Sequence, residues 1–142
     1  MDTQVENRFD RIRYDFESSP FFQLLGFRLV EVNEDEVVLE LPLEEKLMNT
    51  YMNLHGGVYA TLIDNIISMK MRAVYAQPVI TVDLNIKYIA PVNSGSITAK
   101  AEVYGNGRKI KMGEGAVYDQ EGNLLAKGYG TFKVIKEERR NQ

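Results

Sequence analysis

Gly57, Thr61, Asp64, Ser68 and Arg72 follow one another at spacings of four, three, four and four. In a helix, residues so spaced line one narrow seam. Around that seam the stretch is apolar: Val58, Leu62, Ile63, Ile66, Ile67, Met69, Ala73 and Val74 nearly encircle it. A helix apolar on most sides is expected to be buried, and a carboxylate on such a helix needs a partner or a purpose. Asp64, in the middle of the seam, is therefore the first candidate for acid–base work. The competing reading makes the seam a plain solvent face. Such a face normally carries several Lys and Glu, and on this seam only Arg72 fits.

Asn49, Asn53 and His55 stand just before the pair Gly56-Gly57 that opens this helix. Paired glycines let a ligand approach the backbone closely. The first N–H groups of a helix lack internal partners and carry positive partial charge, so a carbonyl or developing oxyanion is a natural guest. The bland alternative is an ordinary tight start to a helix. Gly56 and Asp64 are eight residues apart, which is about 12 Å along a helix axis. A general base or its water must come within about 3 Å of the reacting group. One helix cannot easily present both features to one carbonyl, whereas two helices running antiparallel across a dimer can. If both act on one substrate, the site is shared between protomers and occurs twice.

His55 is the only histidine and could complete a Ser-His-Asp set in principle. No G-x-S-x-G elbow accompanies it, so it reads as a positioning residue at the helix start. Asp83 is the other candidate carboxylate, and reads as one half of a surface pair with Lys87.

Around these residues the elements read as helix, two strands, long helix, four strands. Val5, Phe9, Ile12 and Phe16 share one face of a helix over residues 4–17, which Ser18-Ser19-Pro20 ends. Phe21 to Leu25 reads as a short apolar turn stopped by Gly26. Strands follow over 27–32 and 36–43, then an irregular stretch over 44–54, then the helix from Gly56 to about Ala76. Residues 79–90 alternate strictly, with Ile80, Val82, Leu84, Ile86 and Tyr88 on one face and Thr81, Asp83, Asn85 and Lys87 on the other. Strands over 96–104, 108–118 and 124–135 complete the pattern. Tight turns between consecutive strands imply an antiparallel sheet, so the fold class is α+β, a buried helix packed on one sheet.

The chain has 142 residues, enough for one domain over residues 1–142 with an N-terminal helix in 1–19 and a charged tail at 136–142. It contains no cysteine and one histidine, which excludes disulfides, thiol catalysis, zinc–cysteine sites and multi-histidine metal sites. A formal net charge of −3 makes it a poor nucleic-acid binder by bulk electrostatics. The N-terminal residues lack the apolar run of a secretory signal, and no stretch is long and apolar enough to span a bilayer. A soluble, cytoplasmic protein is expected, with no membrane partner.

The stretch NTYMNLHGGVYATLIDN, residues 49–65, resembles the active-site segment of the hot-dog-fold acyl-CoA thioesterases of the phenylacetic-acid-degradation (PaaI-like) type. That pattern has an Asn, then HGG, then an Asp seven residues after the second glycine. Here these are Asn49, His55-Gly56-Gly57 and Asp64. TVDLNIKYIAPVNSG (81–95), GNGRKI (105–110) and LLAKGYGTFKV (124–134) resemble the family's following strands and glycine turn, so the likeness spans about residues 20–135. It implies a hot-dog fold, an antiparallel sheet wrapped around one long central helix. It also implies an acyl-CoA substrate, no cofactor beyond the coenzyme A of that substrate, and a homodimer with shared sites, joined further as a dimer of dimers. Carried over residue by residue, Asp64 activates water or acts as nucleophile, the Gly56 N–H meets the thioester oxygen, and Asn49 polarises the carbonyl or places the water. His55 and Gly57 belong to the substrate side of the same segment. Thr81 matches a position where some relatives hold the water with Ser or Thr, although the alternation leaves open which face looks into the site. Arg108, Lys109 and Lys111 match a region that meets the nucleotide end of coenzyme A, or else form a solvated hairpin end. Some relatives carry glycine where this chain has Met52. Met48, Met52, Met69 and Met71 read either as an adaptable acyl pocket or as core filler. A non-catalytic acyl-CoA binder and a hydratase on the same fold are the competing functions.

Overall fold

The computed structural model describes residues 7–105 and 107–136. Val5 of the expected first helix, Asn106 of the glycine turn and most of the charged tail lie outside the described residues. The order is α1 (Arg8–Glu17), α2 (Pro20–Leu25), β1 (Arg28–Val32), β2 (Val37–Pro42), α3 (Gly56–Tyr75), β3 (Val79–Tyr88), β4 (Ser96–Tyr104), β5 (Ile110–Tyr118) and β6 (Leu124–Val134). The six strands form one antiparallel sheet in the order β1-β2-β4-β5-β6-β3. Among the described residues no helix is long and apolar enough to cross a membrane.

Phe21 to Leu25, expected as a turn, forms the helix α2. Ser19 caps it by accepting from the Phe22 N–H, Pro20 presets the first turn, and Gly26 ends it in the left-handed region at φ 89°. These are the residue types that start and stop helices, compressed here into so few positions that helical periodicity does not show.

α3 is buried against the sheet through Leu62, Ile63, Ile66, Ile67, Met69, Met71 and Ala73. Each of the Leu, Ile and Met side chains contributes roughly 1.5–3 kcal/mol of burial. Val74 departs from the expected apolar ring and stands 43% exposed near the helix end. The sheet meets the helix with glycines. Gly113 and Gly115 on β5 and Gly128 on β6 lie under Ile63, Ile66 and Ile67, so close that a Cβ on Gly128 would stand 2.8 Å from Ile63 Cγ2. Met69 and Met71 are fully buried, which makes them core filler rather than an adaptable pocket.

The strict alternation read over 79–90 does not hold. Thr81 pairs with Phe132 and Asp83 with Thr131, leaving Val82 as an extra residue in β3. A bulge of this kind shifts the side-chain parity of everything beyond it. Thr81 thus joins Leu84, Ile86 and Tyr88 on the helix side, while Ile80 and Asp83 face away. Asp83 and Lys87 form no ion pair with one another.

Candidate functional site

The loop before α3 is folded around Asn49. Its Oδ1 accepts from the Tyr51 N–H at 2.8 Å and the Asn53 N–H at 3.1 Å. Its main chain closes the same loop, with its N–H donating to Asn53 O and its carbonyl accepting from Met52 N–H. Because the oxygen is consumed by backbone donors, the two Nδ2 hydrogens are left to point elsewhere. Met52 carries the strain of this loop. It sits at φ 63°, the left-handed region that glycine enters without penalty. That is the position where some relatives of the expected family carry glycine.

His55 is the N-cap of α3. Its Nδ1 accepts from the Gly57 N–H at 2.8 Å, and its carbonyl accepts from the Val58 N–H at 2.9 Å. Accepting at Nδ1 places the imidazole proton on Nε2. Gly57 and Val58 are therefore satisfied, and the Gly56 N–H between them and His55 has no acceptor among the described residues. A pocket of about 610 Å³ opens beside it, lined by Asn49, Tyr51, Gly56, Tyr59, Tyr88 and Ile89 among others. The sequence reading missed the tyrosines. Burial, and secondarily the nearby Tyr88 hydroxyl, push the Tyr59 hydroxyl above its ordinary range, so it stays protonated and donates to Ala90 O at 3.3 Å. The alternation placed Tyr88 with Leu84 and Ile86, as the structure has it, but as part of an apolar face rather than as a pocket residue.

Asp64 lies elsewhere on the helix and does not line this pocket. Its Oδ1 accepts from the Thr81 hydroxyl at 2.6 Å, a short charge-assisted bond. Of the rest of the seam, Thr61 donates back to Gly57 O at 2.9 Å. Arg72 is taken by Asp15 of α1, 2.9 Å away and largely shielded from solvent. The structure thus brings Asn49, His55, Gly56 and Gly57 together at one place, and Asp64 with Thr81 at another.

The basic turn splits likewise. Arg108 and Lys109 are exposed. Lys111 is only 8% exposed, with its Nζ donating to Gly107 O and lying 4.2 Å from the centre of the Tyr75 ring. Its charge is spent holding the turn against the end of α3, which removes it from the expected phosphate contacts. Tyr75 ends a helix of 20 residues, so the turn lies about 30 Å from Gly56 along the axis. Among the described residues no three His, Asp or Glu side chains gather as metal ligands would.

The Thioesterase superfamily profile matches residues 51–126, which hold the helix start, Asp64, Thr81 and Tyr88. The chain belongs to the thioesterase superfamily. It is 33% identical over 115 residues to human acyl-coenzyme A thioesterase 13, covering 78% of this chain and 82% of that protein. It is similar to the zebrafish thioesterase superfamily member 2 structure, with a TM-score of 0.77 and 30% identity over 89% of this chain and 94% of that one. The structure of the Escherichia coli PaaI protein, from the phenylacetic acid degradation operon, shares the fold at a TM-score of 0.83 and 18% identity, covering 91% and 94%. The fold is the hot-dog fold of PaaI-like thioesterases, and this thioesterase-superfamily member is a thioester hydrolase.

Proposed function

We propose that the protein hydrolyses acyl-CoA thioesters at two equivalent sites of a homodimer, each completed by both protomers. The observation that carries this reading is the lone unsatisfied donor at the start of α3. The Gly56 N–H has no acceptor among the described residues, lies beside a pocket that Asn49 also lines, and stands about 12 Å along the axis from the Asp64–Thr81 pair. Two copies of α3 packed antiparallel bring Asp64 of one protomer opposite Gly56 of the other.

In that arrangement the Asp64 carboxylate takes a proton from water as the water oxygen attacks the thioester carbonyl. The Thr81 hydroxyl, held on Oδ1, steadies the carboxylate, and the second carboxylate oxygen faces the water. The Gly56 N–H and the Asn49 amide receive the negative charge that develops on the carbonyl oxygen. Collapse of the tetrahedral intermediate breaks the carbon–sulfur bond, and the proton held by Asp64 passes to the departing thiolate. Arg108 and Lys109 of the partner subunit lie beyond the Gly56 pocket in the same arrangement, where the phosphates of coenzyme A would meet them.

The experiment is thiol release from phenylacetyl-, benzoyl-, hexanoyl- and palmitoyl-CoA, with wild type and Asp64→Asn in parallel. The chain has no cysteine, so it contributes no thiol background. Turnover by wild type that vanishes in Asp64→Asn is the expected result. Equal, negligible turnover in both, with acyl-CoA still bound, replaces this reading with that of a binder. A fully active monomer in the same assay overturns the shared site.

A further inference from the structure

Tyr88 ends β3 and is 57% exposed, yet its hydroxyl donates to the Gly56 carbonyl at 3.0 Å. Its ring packs edge-on against Tyr59, centroids 5.7 Å apart. The hydroxyl stands 3.3 Å and the nearest ring carbons 3.4 Å from where a Cβ on Gly56 would lie, so a side chain there would crowd the tyrosine.

The Gly56 N–H belongs to the peptide plane before the Gly56 Cα. The Gly56 carbonyl and the Gly57 N–H belong to the plane after it. Glycine has the widest backbone freedom of any residue, so a donor borne on glycine is held more firmly when the planes on both sides of its Cα are fixed. The first plane is held by the Val58 N–H on His55 O. The second is gripped at both edges, by His55 Nδ1 on the Gly57 N–H and by the Tyr88 hydroxyl on Gly56 O. A carbonyl oxygen has two lone pairs, so the tyrosine can bind there alongside the helix's own bonding. Catalysis by a fixed donor depends on its needing no reorganisation when charge develops.

We infer that Tyr88 is a positioning residue: its hydroxyl holds the Gly56–Gly57 peptide so that the Gly56 N–H stays aimed at the thioester oxygen. The inference rests on the hydrolytic reading above. It separates Tyr88 from the other pocket tyrosines, which line the space without bonding to the peptide that follows the donor.

Tyr88→Phe keeps the ring and its packing on Tyr59 and removes only the hydroxyl. On a thioester that the wild type turns over, kcat is expected to fall about tenfold, equivalent to about 1.4 kcal/mol of barrier, with KM held within about twofold. Tyr88→Leu, which also removes the ring, is expected to raise KM as well. The amide signals of Gly56 and Gly57 in a nitrogen–proton spectrum should move in Tyr88→Phe and the Gly57 amide should exchange faster, while signals from the sheet stay in place. Unchanged kcat in Tyr88→Phe, a change in KM alone, or unmoved Gly56 and Gly57 amides would overturn the inference while leaving hydrolysis intact. A wild type inactive on every thioester, with those amides still responding to the variant, overturns the hydrolytic reading and with it the catalytic purpose of Tyr88.

Discussion

Between Asn49 and Gly57, most bonds that shape the helix start join residues within four positions of one another: Asn49 to Tyr51 and Asn53, His55 to Gly57 and Val58. Seven residues beyond Gly57, Asp64 is met by a side chain from another element, Thr81, seventeen positions away. The first region is organised mainly by its own residues, with the Leu54 N–H on Val92 O and the Tyr88 hydroxyl on Gly56 O tying it to the rest of the molecule. The second exists only because a helix and an edge strand are correctly docked. Damage to packing should therefore reach the Asp64 region first, and damage to loop conformation should stay with the helix start.

The largest effect expected is at the carboxylate itself. Asp64→Asn should lower turnover roughly 10²–10⁴-fold, the scale for loss of an acid–base group, with the melting temperature nearly unchanged because the shape is kept. An unfolded Asp64→Asn protein would mean that the carboxylate serves the fold. At the opposite region, Asn49→Ala should cost roughly 10–10³-fold in kcat by the measure of one oxyanion donor. Loss of its oxygen also frees the Tyr51 and Asn53 amides, so faster hydrogen exchange confined to residues 49–54 is the companion readout. Thr81→Val should lower kcat about tenfold, the size of a bond to a charged group. Exchange in the 49–54 loop should not respond to it.

Two stability measurements sharpen the contrast. Gly128→Ala places a methyl group 2.8 Å from Ile63 Cγ2 and 3.2 Å from the Asn85 carbonyl. It should destabilise the protein by about 1–3 kcal/mol, and it pushes on the turn of α3 that carries Asp64. Met52→Gly relieves a left-handed backbone position and should change stability by less than about 1 kcal/mol in either direction. Relief of strain there opposes the extra freedom glycine gives the unfolded chain. A melting curve that shifts strongly for Met52→Gly and not for Gly128→Ala would reverse the proposed difference between the two regions.

The same difference decided what could be read from the sequence. The helix start was legible because its chemistry is local: an Asn, a His cap and two glycines in one short run. The long helix was legible from its ring of Leu and Ile, and the strands from their alternation and glycine turns. α2 was missed because six residues hold too few turns to show a period. The side taken by Thr81 was missed because pattern reading assumes every residue advances the strand by one step, and Val82 does not; Tyr88 keeps the company of Leu84 and Ile86 that the alternation gave it. Lys111 was placed with its neighbours at a solvated turn. Nothing in its type reveals that it faces inward, since that depends on Gly107 O and Tyr75 being within its reach.

Thr81 and Tyr88 are seven positions apart, an odd number, and in a regular strand they could never look the same way. With Val82 counted out, the separation becomes even, and one ten-residue strand reaches both Asp64 and the Gly56 carbonyl. No exchange of one side chain for another could produce that outcome, which takes a whole residue gained. Shortening β3 by Val82 alone would keep every candidate site residue in the chain and still turn one of the two outward. What a descendant of this protein must preserve is thus partly a count, and a one-codon deletion could cost it more than most substitutions.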